Sequence, residues 1–493
     1  MSGSALPAGW KLVHPEWVKR CEWLPQAQEN SQWILLAVPR NAPAEAVLEE
    51  RAGVHGFRRA ELVKTLWQGL QRAYQFLLAE GRSRLPDHEP RLLIYLYAVD
   101  DPDYGCETPL TDQLFFLHAS RTVGNSPRLG TVMALPVRSN EPQWKAELAQ
   151  LLTAAIHELS HGLNFQVLPL RDPRPHSRAE RERERLIGLR NSWHWLDEGM
   201  AVAAEAAFAQ REQKLRRLRK PGALPMNDDW LRFALDWVDR PECALDDEDH
   251  FYQAAFFVRY VHRLMGGPKF LNEVWTLSSP LWNNDQTTDC SALAMLAQAF
   301  QQSQPSRVFC SVTEPDVFSD YCFHGYFLND KRSLAFEPKV FKRFGERAVT
   351  RTWRMADRAA WPAGRSEKYS LPGLACRYFR FFPMADPKWL SVRVLPPSKK
   401  SGESFRQLKA EIGFAMPGTG LWRRSKKHLP LRHTLTFNSA GELECKLDGF
   451  SKRFCDHAVL VVTNCEFGSP APGQAPPNGF EHSTDFCVQA RLR

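Results

Sequence analysis

No stretch of this 493-residue chain limits its fold more tightly than Leu152–Leu163, which reads Leu-Thr-Ala-Ala-Ile-His-Glu-Leu-Ser-His-Gly-Leu. Leu152, Ala155, Ile156, Leu159 and Leu163 surround the segment with apolar side chains, so as a helix it must be largely buried. It nevertheless carries His157, Glu158 and His161, and a buried polar or charged group is costly without a partner. Residues four apart share a helix face, so both imidazoles can reach one metal ion. Glu158 lies beside them, close enough to take a proton from water at that ion. With 15 histidines in the chain, the bare His-Glu-x-x-His pattern should arise by chance in roughly one comparable sequence in forty. The alternative is a surface helix with scattered polar residues, and the apolar flanks argue against it.

A catalytic metal needs a third protein ligand and an open fourth position. His161 is followed by Gly162-Leu-Asn-Phe-Gln-Val, which excludes a metzincin-like third histidine close behind. Trp195-Leu-Asp-Glu-Gly-Met-Ala201 offers a carboxylate instead: a helix beginning near Asp197 would present Glu198 from its first turn. The plainer reading is that Asp197 and Glu198 only favour a helix N-terminus electrostatically. Two histidines and one glutamate suit zinc best among common divalent ions.

The two motifs together resemble those of the gluzincin metallopeptidases, in which Trp-Leu-x-Glu-Gly follows His-Glu-x-x-His on the next helix. The resemblance spans roughly Arg59–Phe300. It implies one catalytic zinc held by His157, His161 and Glu198, with Glu158 as general base and a peptide or protein as substrate. Many relatives place a carboxylate four residues after the third ligand; here that position is Val202, and Glu205 one turn on can take the role. The strand that grips a substrate amino terminus in the aminopeptidase branch reads Gly130-Thr-Val-Met-Ala-Leu-Pro here, without its glutamate, so an endopeptidase is expected. The Arg-rich insertion Arg171–Arg190 is expected to border the cleft. His250-Phe-Tyr-Gln-Ala-Ala-Phe-Phe-Val-Arg-Tyr260 resembles the helix that supplies an oxyanion-binding tyrosine in collagenase-like and hyicolysin-like gluzincins. Tyr252 is the first choice for that donor, His250 the second and Tyr260 the third; an ordinary core or amphipathic aromatic is the alternative for each.

The fold expected is α+β: a mixed N-terminal sheet, a largely helical zinc-metallopeptidase domain and a C-terminal all-β sandwich-like module. Helical periodicity marks Arg59–Glu80, stopped by Gly81, while Arg91–Val99 and Thr131–Val137 read as strands. Helical segments are expected over Glu198–Arg219, Trp230–Val238, Phe251–Met265 and Ala292–Gln302. From about Tyr369 short alternating runs separated by Pro, Gly, Ser and Lys replace helical periods, with a Pro/Gly-rich loop at Gly468–Gly479. The boundaries that follow are 1–58 for a cap, 59–305 for the catalytic domain, 306–368 for a connecting region and 369–493 for the β module. His433 and His457 stand isolated in that module, where structural or surface roles are expected.

Composition narrows the alternatives. At 43% hydrophobic and 24% charged residues the chain reads as folded rather than disordered. No apolar run approaches the ~18 residues of a membrane span, and no signal-like leader opens the sequence, which suggests the cytoplasm or export by another route. The net charge of +8 resides largely in clusters at Arg171–Arg190, Arg211–Lys220 and Arg423–Lys427. The first two mix Arg with Glu as on a solvated helix face, and without interleaved stacking aromatics nucleic-acid binding is not expected. Eleven cysteines without a Cys-x-x-Cys pair suggest free thiols; in an exported chain Cys376, Cys445, Cys455, Cys465 and Cys487 could supply one or two disulfides. The rival functions are a catalytically weak zinc-containing binding or toxin-like protein, for which Val202 leaves room, and a nucleic-acid-associated protein using the Arg-rich helices.

Overall fold

The computed structural model describes residues 10–12, 21–23, 34–39, 59–82, 92–98, 115–123, 126–137, 144–165 and 179–220. It continues with 222–224, 226, 240–245, 247, 251–265, 267–275, 292, 296, 299–300, 314–326 and 349–355. In the C-terminal part it describes 367–384, 389–396, 408–415, 432–448, 450–452, 455–465 and 483–492. The helix expected over Trp230–Val238, His250, the loop Gly468–Gly479 and the basic cluster Arg423–Lys427 lie outside these residues. The chain combines helices and sheets in two compact units interleaved in sequence: 1–176, 200–230 and 271–285 form one; 177–199, 231–270 and 286–493 form the other.

The first unit is organised on a six-stranded sheet. Its strands are β1 (Trp10–Leu12), β2 (Cys21–Trp23), β3 (Ile34–Pro39), β4 (Leu92–Ala98), β5 (Phe115–Val123) and β6 (Ser126–Val137), in the order β1-β5-β6-β4-β3-β2. β3, β4 and β6 run parallel, while β1, β2 and β5 are antiparallel to their neighbours. The sheet thus draws strands from both sides of the boundary expected at residue 58. Helix α1 (Arg59–Ala79) is the crossover between the parallel strands β3 and β4, as parallel pairing requires. Leu70, Tyr74 and Leu77 form its buried stripe. Helix α2 (Trp144–Phe165) packs against α1 and β6. Gly69 permits that closeness, because a Cβ there would collide with Leu152 Cδ2.

Helix α3 corrects one expectation. It does not begin near Asp197 but runs unbroken over 39 residues, Ala179–Arg217, so Glu198 stands at its middle. No proline interrupts this span. It ends with Arg219 in the left-handed region (φ 53) and Lys220 N–H bonded to the Leu215 carbonyl, just before Pro221. In the first unit its C-terminal part packs on α1, where Arg72 donates to both oxygens of fully buried Glu212 at 2.7 Å.

The second unit contains a two-sheet β-sandwich. One sheet orders β13 (Thr436–Phe437), β14 (Leu443–Asp448), β10 (Trp389–Leu395), β16 (Thr484–Leu492) and β8 (Lys368–Leu371). The other orders β12 (Arg432–Thr434), β11 (Leu408–Ala415), β15 (His457–Asn464), β9 (Ala375–Pro383) and β7 (Val349–Met355), with only β7 and β9 parallel. Alternate residues of both sheets, among them Leu390, Val392, Ile412, Leu460, Phe379 and Phe486, form one apolar core. Strand β15 is buried along its whole length on both faces. Its second face is covered by helix α5 (Glu314–Tyr326), so this part of the unit has three layers.

Polar contacts fix α5 to the sheet. Arg432 of β12 donates to Glu411 of β11 (2.8 and 2.7 Å) and to Asp320, Ser319 Oγ donates to Glu411 (2.9 Å), and the guanidinium lies 4.6 Å above the Phe323 ring. Such a bidentate arrangement satisfies both buried carboxylates. Both β7 and α5 precede Tyr369, so the sandwich and its cover reach into the region expected to be a connection. Accordingly, a fragment 314–493 should unfold cooperatively, whereas 369–493 should expose one sheet face, bind a hydrophobic dye and aggregate. Equal cooperativity of the two fragments in thermal unfolding would show the cover to be dispensable.

His457 sits at the start of β15 beneath α5, with Nε2 3.3 Å from the Tyr326 hydroxyl and its ring 5.2 Å from that of Phe382. Burial, helped by the nearby Arg380 guanidinium, pushes its pKa down to about 3 from 6.5. The fold therefore holds the neutral imidazole, while the unfolded chain takes up the proton near its ordinary value. The stabilisation is whole above about pH 6.5 and is lost as pH falls from there towards 3. Between pH 6.5 and 4.5 the intact chain should lose on the order of 2 kcal/mol that a His457→Gln variant does not lose, measured by denaturant unfolding at each pH.

Candidate metal centre

The turns of α2 around His157 are buried throughout: Ile156 and Leu159 are fully enclosed, and His157, Glu158 and His161 are 5–8% exposed. One helical turn apart, the two imidazoles stand edge to face with centroids 4.7 Å apart. Glu198 is also buried, and one ligand atom from each of His157, His161 and Glu198 lies within 4.8 Å of the others. Among the described residues this is the one group of three or more such side chains able to hold a metal ion.

The continuity of α3 explains why a second carboxylate arrives with the first. Seven residues separate Glu198 from Glu205, two turns on one helix face. Between them Val202, four residues beyond Glu198, is a buried apolar residue (1% exposed), so the position that bears a carboxylate in many gluzincins is packing here. Glu205 supplies the oxygen instead, 2.5 Å from His157 Nδ1. That contact orients the ring and leaves Nε2 as the ligand atom, the usual arrangement behind a metal-bound imidazole.

Two features that the sequence did not reveal hold the helices in place. The first is Arg82. Helix α1 ends with Gly81 in the left-handed region (φ 89), the Gly81 N–H bonded to the Leu78 carbonyl and the Arg82 N–H to that of Leu77. This reversal turns Arg82 inward, where it donates to Asn164 Oδ1, to Ser160 Oγ (3.3 Å) and to the Met200 carbonyl (3.3 Å). It ties α2 next to His161 and α3 next to Gly199. The second is Gly199. A Cβ there would stand 3.1 Å from both the Ala254 carbonyl carbon and Val258 Cγ2 of helix α4 (Ala254–Leu264), so its absence sets the α3–α4 spacing beside Glu198. Trp195 packs on Phe257 across the same crossing, centroids 6.2 Å apart.

The electrostatic balance also suits a cation. Glu158, Asp197, Glu198 and Glu205 are all buried within these turns, and among the described residues Arg82 is the one buried Arg or Lys. The donor set of two imidazoles and a carboxylate, with a hydrogen-bonded acceptor behind one ring, could hold a metal ion.

The tyrosine choices fare differently. Tyr252 lies half-buried on a 3-10 turn, Phe251–Gln253, leading into α4. Tyr260 is buried and its hydroxyl donates to Asp320, which commits it to the support of α5 rather than to the oxyanion role ranked third for it. In the β module His433 is exposed on β12 and His457 is buried packing; neither approaches a metal-ligating group among the described residues. Cys243, Cys322, Cys376, Cys445, Cys455, Cys465 and Cys487 form no disulfide.

The Glu205 contact generates a direct test. Glu205→Ala should weaken divalent-metal binding about 10–100-fold while leaving the circular dichroism spectrum unchanged, as measured by competition with a chromophoric chelator. Unchanged affinity would mean that the contact does not orient a ligand.

No family model matches the chain, and no curated protein does. Among solved structures, the periplasmic g-type lysozyme inhibitor PliG of Aeromonas hydrophila is 11% identical, with 29% of this chain covering 97% of that one at a TM-score of 0.16. CorA, a surface-associated copper-binding protein of Methylomicrobium album BG8, is 9% identical, with 30% of this chain covering 99% of that one at a TM-score of 0.17. At such scores neither likeness bears on the metal centre, which stands on its own residues.

Proposed function

We propose that this chain is a gluzincin-type zinc metallopeptidase acting as an endopeptidase, with a mixed sheet and helical catalytic region followed by the β-sandwich. The observation that carries this reading is the convergence of His157, His161 and Glu198, with Glu205 behind His157 and Glu158 beside it in sequence. A purely structural site would have no use for Glu158.

A zinc ion bound there would polarise the scissile carbonyl and acidify the attacking water. His157, His161 and Glu198 hold it, Glu205 keeps His157 in one tautomer and orientation, and Arg82 braces the two ligand helices. The Glu158 carboxylate takes the proton from the attacking water and hands it to the leaving amine. Tyr252 is the proposed donor to the developing oxyanion, and the absence of an amino-terminus-gripping glutamate near Met133 leaves the cleft open to internal peptide bonds.

The test is a graded pair of variants assayed on a peptide library with and without chelator. Glu158→Gln should retain one zinc per chain and the native unfolding curve yet lose about 10²–10⁴-fold in hydrolysis, because an amide cannot accept the proton. Tyr252→Phe should lose roughly 10²–10³-fold with zinc affinity unchanged. Hydrolysis unaffected by Glu158→Gln removes Glu158 as the base. A wild-type protein that holds zinc but cleaves nothing is a metal-containing binding protein instead.

A further inference from the structure

A second cluster of reactive side chains lies in the second unit, apart from the carboxylate-rich centre. Cys322 on α5, Cys376 on β9 and Cys465 just after β15 are 0–3% exposed and free. The strand register explains their meeting. Cys376 pairs with Thr463 and Tyr378 with Val461, so alternation places Cys376, Tyr378 and Thr463 on the sheet face that α5 covers. Helix α5 comes down on that face at Cys322: the Tyr378 hydroxyl donates to the Cys322 carbonyl at 2.7 Å, and Cys376 is near enough to the Cys322 thiol to help raise its pKa. Cys465 is within electrostatic reach of the Cys322 thiol.

We propose that Cys322 and Cys376 form a disulfide when the folded chain meets a small hydroperoxide, stapling α5 to strand β9. Neither residue belongs to the metal centre, and the inference is independent of the peptidase reading. One thiol, deprotonated, attacks the peroxide O–O bond; one oxygen departs as water and the other remains on sulfur as a sulfenic acid. The second sulfur attacks that sulfur, the S–S bond forms, and a second water leaves. Two thiols and one hydrogen peroxide thus give one disulfide and two waters.

The environment sets how the reaction runs. Burial, reinforced by Cys376, holds the Cys322 thiol well above its ordinary pKa, so the pair is protonated and slow to react at neutral pH. The rate should climb as pH rises, and hydrogen peroxide should act where bulky disulfides cannot reach. The linkage closes a loop of more than fifty residues containing β7 and β8, which stabilises the folded state chiefly by restricting the unfolded one.

The experiment treats the full-length native protein with hydrogen peroxide at pH 7 and pH 9, quenches it, alkylates free thiols and maps peptides without reduction. A Cys322–Cys376 cross-linked peptide is expected, forming faster at pH 9, together with a midpoint of thermal unfolding raised by roughly 5 °C or more and restored by dithiothreitol. Cys465→Ser should leave the link in place, and Cys376→Ser should abolish it. A link from Cys322 to Cys465, an unlinked sulfinic Cys322, or both thiols still reduced at peroxide levels that oxidise the half-buried Cys445 would each overturn the proposal.

Discussion

A helix buried as deeply as α2 cannot carry two imidazoles and a carboxylate unless neighbouring elements answer their charge, and much of this structure is that answer. Ile156 and Leu159 leave no route for the polar residues between them to turn to solvent. Helix α3 brings Glu205 to His157 and Glu198 within reach of both imidazoles, and Arg82 at the end of α1 ties Ser160 of α2 to the Met200 carbonyl of α3. Glu198 and Glu205 lie on one helix and Arg82 at the end of another, so these contacts depend on the register of the helices. Buried polar networks specify a unique packing in this way even where they add little net stability.

The β-sandwich meets a different requirement. A two-sheet sandwich normally leaves its outer faces to water, but β15 is apolar and buried on both sides. The helix that covers it is anchored at one side by Arg432, Glu411 and Asp320 and at the other by Tyr326 and Tyr378. Tyr260 of α4 joins the same network through Asp320, and Phe257 packs on Phe318 and Tyr321 of α5. A line of packed side chains therefore connects the sandwich, α5, α4 and the Gly199 crossing on α3.

Much of this was readable in the sequence because local spacing carries it. The i,i+4 histidines, the periodicity of α1 and its stop at Gly81, the helix to Phe165 and the alternating strands after Tyr369 all depend on residues near one another. The start of α3 was misplaced because Asp197-Glu198 looks like a helix N-terminus, whereas the Arg/Glu stretch before it lacks any breaker. The hairpin of β5 and β6 was missed although Gly124-Asn125 separates two β-prone runs. Arg82 and the choice of Glu205 over Val202 needed the fold, since the partners lie 118 and 48 residues away in sequence.

The missing Cβ at Gly199 has one more consequence. What it would strike first includes the backbone of Ala254, which has no rotamer to change, and the buried Val258. A side chain at 199, one residue from Glu198, would therefore require its neighbours on α4 to give way. Added volume at position 199 would have to be taken up by the Ala254 backbone or the Val258 side chain beside that carboxylate. In mechanical terms, Glu198 sits beside a fit with little slack.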